Sequence, residues 1–168
     1  MDPPRQPTEP PRPYTYRVTE VVAVTDGDTV DVRLDLGFDI SVRKRVRLAG
    51  IDAPESRTTD HAEKALGLEA KEWLQAVVRD AALVICTDKP DSTEKYGRVL
   101  GHLYVAGQAE SVNDRMVREG YAVPYSGQGP KNKDLEALVA KRKALALVPE
   151  SETAGRKKTR ARTHGKTT

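Results

Sequence analysis

The sequence predicts an α+β protein: a barrel of five short strands with three helices packed on it. Three observations lead there. Runs alternating with period two crowd the first third of the chain, a run of period near 3.6 follows, and two more strand-like runs precede two helical ones. Three strands, a helix, two strands and two helices, in that order, is the plan of an OB-type barrel, which takes oligonucleotides across its second and third strands.

The elements follow in order. Arg17–Val24 is valine-rich and reads as a strand. Thr29–Leu36 puts Val30, Val32, Leu34 and Leu36 on one face. Ile40–Leu48 puts Ile40, Val42, Val46 and Leu48 on one face and Arg43, Arg45 and Arg47 on the other, with Gly37 marking a hairpin turn. Arg43 and Arg45 read as solvated charges that assist a polyanion. Ala62, Leu66, Ala70, Trp73, Leu74 and Val77 recur at three or four, so a helix covers about Ala62–Arg79, with Trp73 in the core. Gly67 costs ~1 kcal/mol against alanine there and points to a later helix start. Ala82–Thr87 and Val99–Val105 are predicted strands, the first with Cys86 buried and inert. Val112–Glu119, ended by Gly120, and Asn132–Leu147 are predicted helices.

The bulk composition bounds the function. The 168 residues suit one domain with tails, and no apolar run approaches the ~18 residues of a membrane span. The opening residues show no secretory signal, and one cysteine, Cys86, cannot form an internal disulfide. We expect a cytoplasmic monomer with no membrane partner. Residues 1–13 hold six prolines and read as an extended, disordered arm. Residues 149–168 read as a disordered basic tail, in which Ser151–Thr168 has six Lys or Arg against one Glu, +5. The arm is neutral, so residues 14–150 must carry −2 of the net +3, and the single domain at 14–148 is itself slightly acidic. The basic character belongs to the tail, and the domain must attract a polyanion by local placement of charge.

The acidic stretch TDGDTVDV (Thr25–Val32) needs a reason, because clustered carboxylates repel within a strand. Asp-Gly pairs form turns, which is the simplest reading. A calcium loop of the EF-hand type fails: counted from Asp26, the sixth position is Asp31 rather than glycine and the twelfth is Gly37 rather than glutamate. Asp31 reads as a bystander facing solvent. A discontinuous site remains, with Asp28 joined by a carboxylate from RLAGIDAPES (Arg47–Ser56). There Ala53 precedes Pro54 and stays extended, so a carboxylate sits beside a peptide carbonyl. Such oxygens suit Ca²⁺ or Mg²⁺, and the three histidines are too scattered to form a zinc set. A capped turn is the plain alternative for Asp52 and Glu55.

VVAVTDGDTVDV, RLAGIDAPE, TEKYGRVLGHLY and SVNDRMVREGYA, with GLEAKEWL between the second and third, resemble the hallmark segments of the staphylococcal nuclease (thermonuclease) family. They occur in the family's order, over about Tyr16 to Leu147. The resemblance implies an OB-fold barrel with three helices that cleaves DNA or RNA with little sequence specificity, using Ca²⁺ and leaving 3′-phosphate ends. It implies Asp28, Asp52 and the carbonyl of Ala53 as metal ligands, with Asp26 supporting them from behind. It implies Glu55 as general base, Arg47 and Arg98 on the scissile phosphate, and Lys95, Tyr96 and Tyr125 on the nucleotides. The chain departs from the family's best-known member in a longer hairpin between Asp28 and Arg47 and in an acidic body. The competing expectation is a non-catalytic module of the same fold that binds nucleic acid or a protein; such modules usually lose the acids or arginines, and this sequence keeps both.

Overall fold

The computed structural model describes residues 14–88, 97–127 and 134–146. The proline-rich arm, the basic tail, Lys95 and Tyr96 lie outside them. The strands are β1 (Tyr14–Asp26), β2 (Thr29–Asp35), β3 (Ser41–Leu48), β4 (Ile51–Asp52), β5 (Leu83–Thr87), β6 (Val99–Val105) and β7 (Val123–Pro124). The helices are α1 (His61–Val78), α2 (Val112–Arg118) and α3 (Leu135–Ala146).

Five strands close a barrel in the order β1-β2-β3-β6-β5. Each neighbouring pair is antiparallel except β3 and β6, which run parallel with Val46 opposite Val99. Val30, Val32 and Leu34 of β2 turn inward with Val46, Leu48, Leu83, Ile85 and Leu103, as alternation on pleated strands requires. β1 is longer than the sequence pattern indicates, because three register shifts against β2 bend it. Its first residues pair with β5 and its later ones with β2, and that double pairing closes the barrel. β4 and β7 form a separate two-stranded sheet that the sequence did not reveal, since two residues carry no period.

The β2–β3 hairpin overshoots the barrel. Leu36 and Ile40, expected on the inner face, are exposed, and Phe38 at the tip is almost wholly so. Phe38 and Asp39 take positive φ in the turn, which is closed by Leu36 N donating to Ile40 O (2.9 Å). The alternation continues past the barrel wall, where nothing lies opposite.

Helix α1 begins at His61, not after Gly67. The Asp60 carboxylate accepts from the amides of Ala62 (2.9 Å) and Glu63 (3.1 Å), capping the first turn. Trp73 lies at the edge of the core rather than inside it. Its Nε1 donates to Glu119 (2.9 Å) and its ring stacks on Tyr121 at 5.1 Å, joining α1 to the α2 region. Cys86 is half-buried, not buried, with Sγ 3.4 Å from Thr15 Oγ1. α3 buries only Leu138 and is held by side chains: Arg142 Nε donates to Gly120 O (2.7 Å) and its guanidinium covers the Tyr121 ring.

Candidate active site

Two turns meet at one end of the barrel. The first joins β1 to β2 through Gly27 and Asp28, and the second joins β3 to β4 through Ala49 and Gly50. Asp28 O accepts from Leu48 N (2.8 Å), which binds the first turn to the end of β3.

Arg47 stands between two buried carboxylates. Its Nη1 lies 3.1 Å from Asp28 Oδ2, and its Nη2 donates to Asp52 Oδ1 (2.9 Å) and Ile51 O (3.3 Å). Asp28 is further held by Thr29 Oγ1 (2.9 Å) and Ala53 N (3.3 Å). Asp52 is 1% exposed, and its position is fixed by the pairing of β4 with β7, Asp52 opposite Val123. Two buried carboxylates share one guanidinium here. Burying ions is costly unless they are paired and hydrogen-bonded, so carboxylates gathered at one buried point call for cationic partners.

The donor chemistry fits a hard divalent cation. Asp28, Asp52 and the peptide at Ala53 offer oxygen, and such cations complete a sparse protein set with water. Among the described residues, no three or more His, Cys, Asp or Glu side chains gather into a metal cluster.

The remaining expected residues distribute around this core. Asp26 Oδ1 accepts from Gly27 N (3.0 Å) and Ser56 N (3.3 Å), tying the loop after β4 to the β1–β2 turn. A β-carbon on Gly27 would fall 2.9 Å from Ala53 Cβ and 3.0 Å from Ala70 Cβ, so this glycine serves close packing as well as the turn. Glu55 is exposed at the rim of the same loop, its amide donating to Glu63 (3.1 Å). Tyr125 follows β7 and donates its amide to Gly50 O (2.9 Å), which brings it beside the β3–β4 corner. Arg98 immediately precedes β6, so the parallel register sets it level with Arg45, in the wall of a cavity of about 600 Å³ shared with Asp31, Arg43 and Gly97.

Asp31 corrects the sequence reading. It is 4% exposed and accepts from Arg45 Nε (2.6 Å), Arg45 Nη2 (3.0 Å) and Arg43 Nη2 (3.1 Å). It is not a solvent-facing bystander, nor are the two arginines simply solvated. The Arg45 hydrogen bond, opposed by burial and reinforced by Arg43, holds its carboxyl below the ordinary 3.8.

Sequence reasoning also missed Asn113. It is buried, its Nδ2 donating to Ala49 O (2.8 Å) and Gly101 O (3.2 Å) while Oδ1 accepts from Leu103 N (3.0 Å). It thereby pins the corner that leads to Asp52. The available signal was an amide lying between Val112 and Met116 on the buried face of a helix.

Fold and site together define an OB-fold protein with two buried carboxylates bridged by an arginine at one end of its barrel. The chain belongs to the staphylococcal nuclease family, whose model, described as Staphylococcal nuclease homologue, matches residues 45–146. It is 37% identical over 117 residues to Protein ParB of Escherichia coli, an alignment covering 66% of this chain and 58% of that one. It is 36% identical over 117 residues to a Micrococcal nuclease of Shigella flexneri, covering 66% and 59%. It is 30% identical over 115 residues to Endonuclease YncB of Bacillus subtilis, covering 66% and 51%. The alignments thus span about half to three-fifths of these relatives' lengths. Among the described residues, no helix is long and apolar enough to cross a membrane.

Proposed function

We propose that this chain is an endonuclease that hydrolyses phosphodiester bonds of DNA or RNA with little sequence specificity, assisted by Ca²⁺ or Mg²⁺. The observation that carries the reading is Arg47 held between Asp28 and Asp52, two buried carboxylates from the β1–β2 turn and from β4. A plain turn or a binding surface has no need of two buried carboxylates gathered about one arginine, whereas phosphoryl transfer needs both an anionic cation seat and a fixed guanidinium.

Asp28, Asp52 and the Ala53 carbonyl would hold the cation. When bound, it supplies charge withdrawal from the phosphoryl oxygens and acidification of a water. Glu55, at the exposed rim, accepts a proton from the attacking water. The water oxygen bonds to phosphorus, the bond to the 5′-oxygen breaks, and that oxygen takes a proton from solvent water and leaves as a hydroxyl, giving a 3′-phosphate end. Arg47 and Arg98 supply planar, forked donors for the charge that grows on the phosphoryl oxygens, a role a lysine point charge fills poorly. Asp26 keeps the loop in place, and Tyr125, with Lys95 and Tyr96, contacts the flanking nucleotide.

The test is hydrolysis of single- and double-stranded DNA and of RNA, in Ca²⁺, Mg²⁺ or chelator, with end-group analysis. We expect cleavage that stops in chelator and falls at least about a hundredfold in Glu55→Gln with the fold intact. Undiminished cleavage in chelator would remove the cation from the mechanism. Nucleic-acid binding without cleavage in any metal would favour the non-catalytic module.

A further inference from the structure

The cluster of Asp31, Arg43 and Arg45 lies on the outer face of β2 and β3, and the hydrolytic scheme does not use it. Asp31 and Arg45 are direct cross-strand partners, and Arg43 reaches the same carboxylate from one step along the face. The carboxylate is buried, while the arginine side chains are 58% and 53% exposed. The bonds to Asp31 use only three N–H groups of two guanidiniums that carry five each. Most of the donors therefore remain for another acceptor.

One arginine would neutralise Asp31. The second leaves the cluster at +1, on a domain whose net charge is negative. The shared carboxylate also relieves repulsion between the guanidiniums and fixes their forks, so little side-chain entropy remains to be lost on binding. The cavity these three line with Gly97 and Arg98 opens beside them. Arg45 sits two residues before Arg47 on the same face of β3, about 7 Å along the strand, the order of one nucleotide step.

We propose that Asp31, Arg43 and Arg45 form a phosphate clamp, which grips the backbone phosphate next to the scissile one on a polynucleotide. This rests on the nuclease reading for which phosphate is cleaved, but not for the binding itself. The clamp makes the protein a reader of polymer: a strand that spans both positions is held at two phosphates, and a mononucleotide at one.

The test is binding of the full-length chain to a labelled single-stranded 12-mer by fluorescence anisotropy, in chelator, across a salt series. The triple variant D31N/R43Q/R45Q removes the clamp without leaving a buried carboxylate unpaired. Arg79→Gln, at the far end of α1, removes the same single positive charge elsewhere. We expect the triple variant to bind about tenfold more weakly, with a salt slope smaller by about 0.7, the loss of one phosphate contact on a single strand. We expect Arg79→Gln to stay within about twofold. Equal affinity and slope in the triple variant, equal weakening by Arg79→Gln, or no binding by the wild type would each overturn the proposal. If the triple variant does not fold, R43K/R45K decides: it keeps the charge and the pairing but loses the forks, so weakening of about threefold or more supports the clamp and unchanged affinity overturns it. Wild-type hydrolysis is read separately, so a protein that binds through the clamp yet never cleaves refutes the nuclease reading alone.

Discussion

A β-carbon on Gly67 would lie 2.6 Å from the carbonyl carbon of Glu55 and 2.7 Å from Pro54 O. The helix thus packs directly on the backbone of the loop that carries Asp52 and Glu55. On an ordinary helix, Gly→Ala stabilises by about 1 kcal/mol. Here Gly67→Ala forces rigid backbone atoms apart, which costs about 1–3 kcal/mol, so the net sign reverses. Chemical denaturation should show Gly67→Ala less stable than wild type, and an increase in stability would refute the contact.

Arg47 holds the fold together by pairing with both Asp28 and Asp52. In Arg47→Gln two carboxylates lose their shared partner, which should cost about 3–5 kcal/mol in chelator. A divalent cation replaces the missing charge and competes with no guanidinium, so added Ca²⁺ should raise the melting temperature of the variant more than that of the wild type. Thermal denaturation with and without Ca²⁺ reads both effects. A variant as stable as wild type in chelator would contradict the ion-pair geometry.

Acid should loosen the β2–β3 face through Asp31. Its folded pKa lies below the ordinary 3.8. The carboxylate therefore adds stability that is fully present above that unfolded value and is lost as pH falls through the lower folded one. Urea denaturation from about pH 5 to about pH 2 should show a smaller loss in Asp31→Asn than in wild type. Identical pH dependence would mean that Asp31 is not paired in solution.

Asn113→Ala strips three hydrogen bonds from the backbone and orphans the Leu103 amide and the half-buried Ala49 carbonyl, while Gly101 O keeps the Ala49 amide (2.8 Å). Each orphaned group costs roughly 1–3 kcal/mol, with water able to reach some of them, so a loss of about 2–4 kcal/mol is expected. Hydrogen exchange should quicken first at the Leu103 amide. If that amide stays protected, the side chain is not the acceptor described.

How much of this was legible varied by residue. The barrel came from alternation, because Val30, Val32, Val46 and Leu48 each face a wall that buries them. The same rule failed at Leu36 and Ile40, since periodicity states which side a residue takes but not whether anything lies opposite. Gly67 misled because helix propensity counts the cost within the helix, while the close approach of the Glu55 loop lies outside it. Asp28 and Asp52 were picked out by motif and stand together around Arg47. Asp31 was misjudged because its partners lie 12 and 14 residues away, across a hairpin whose register no local pattern announces.

The closure of the barrel dictates an order of folding events. Asp28, Arg47 and Asp52 come from one hairpin and its following turn, whose contacts are short in sequence. β1 must then wait for β5, Tyr14 meeting Thr87, and β3 must wait for β6. Loop closure over such separations is slow relative to hairpin formation. A nascent chain that has not yet supplied β6 can pair β2 with β3 and so place Asp28 and Arg47, but Arg98 waits for β6 and Asp52 for β7. A chain truncated before β6 would therefore carry Arg47 on its hairpin while lacking both Arg98 and the strand that fixes Asp52.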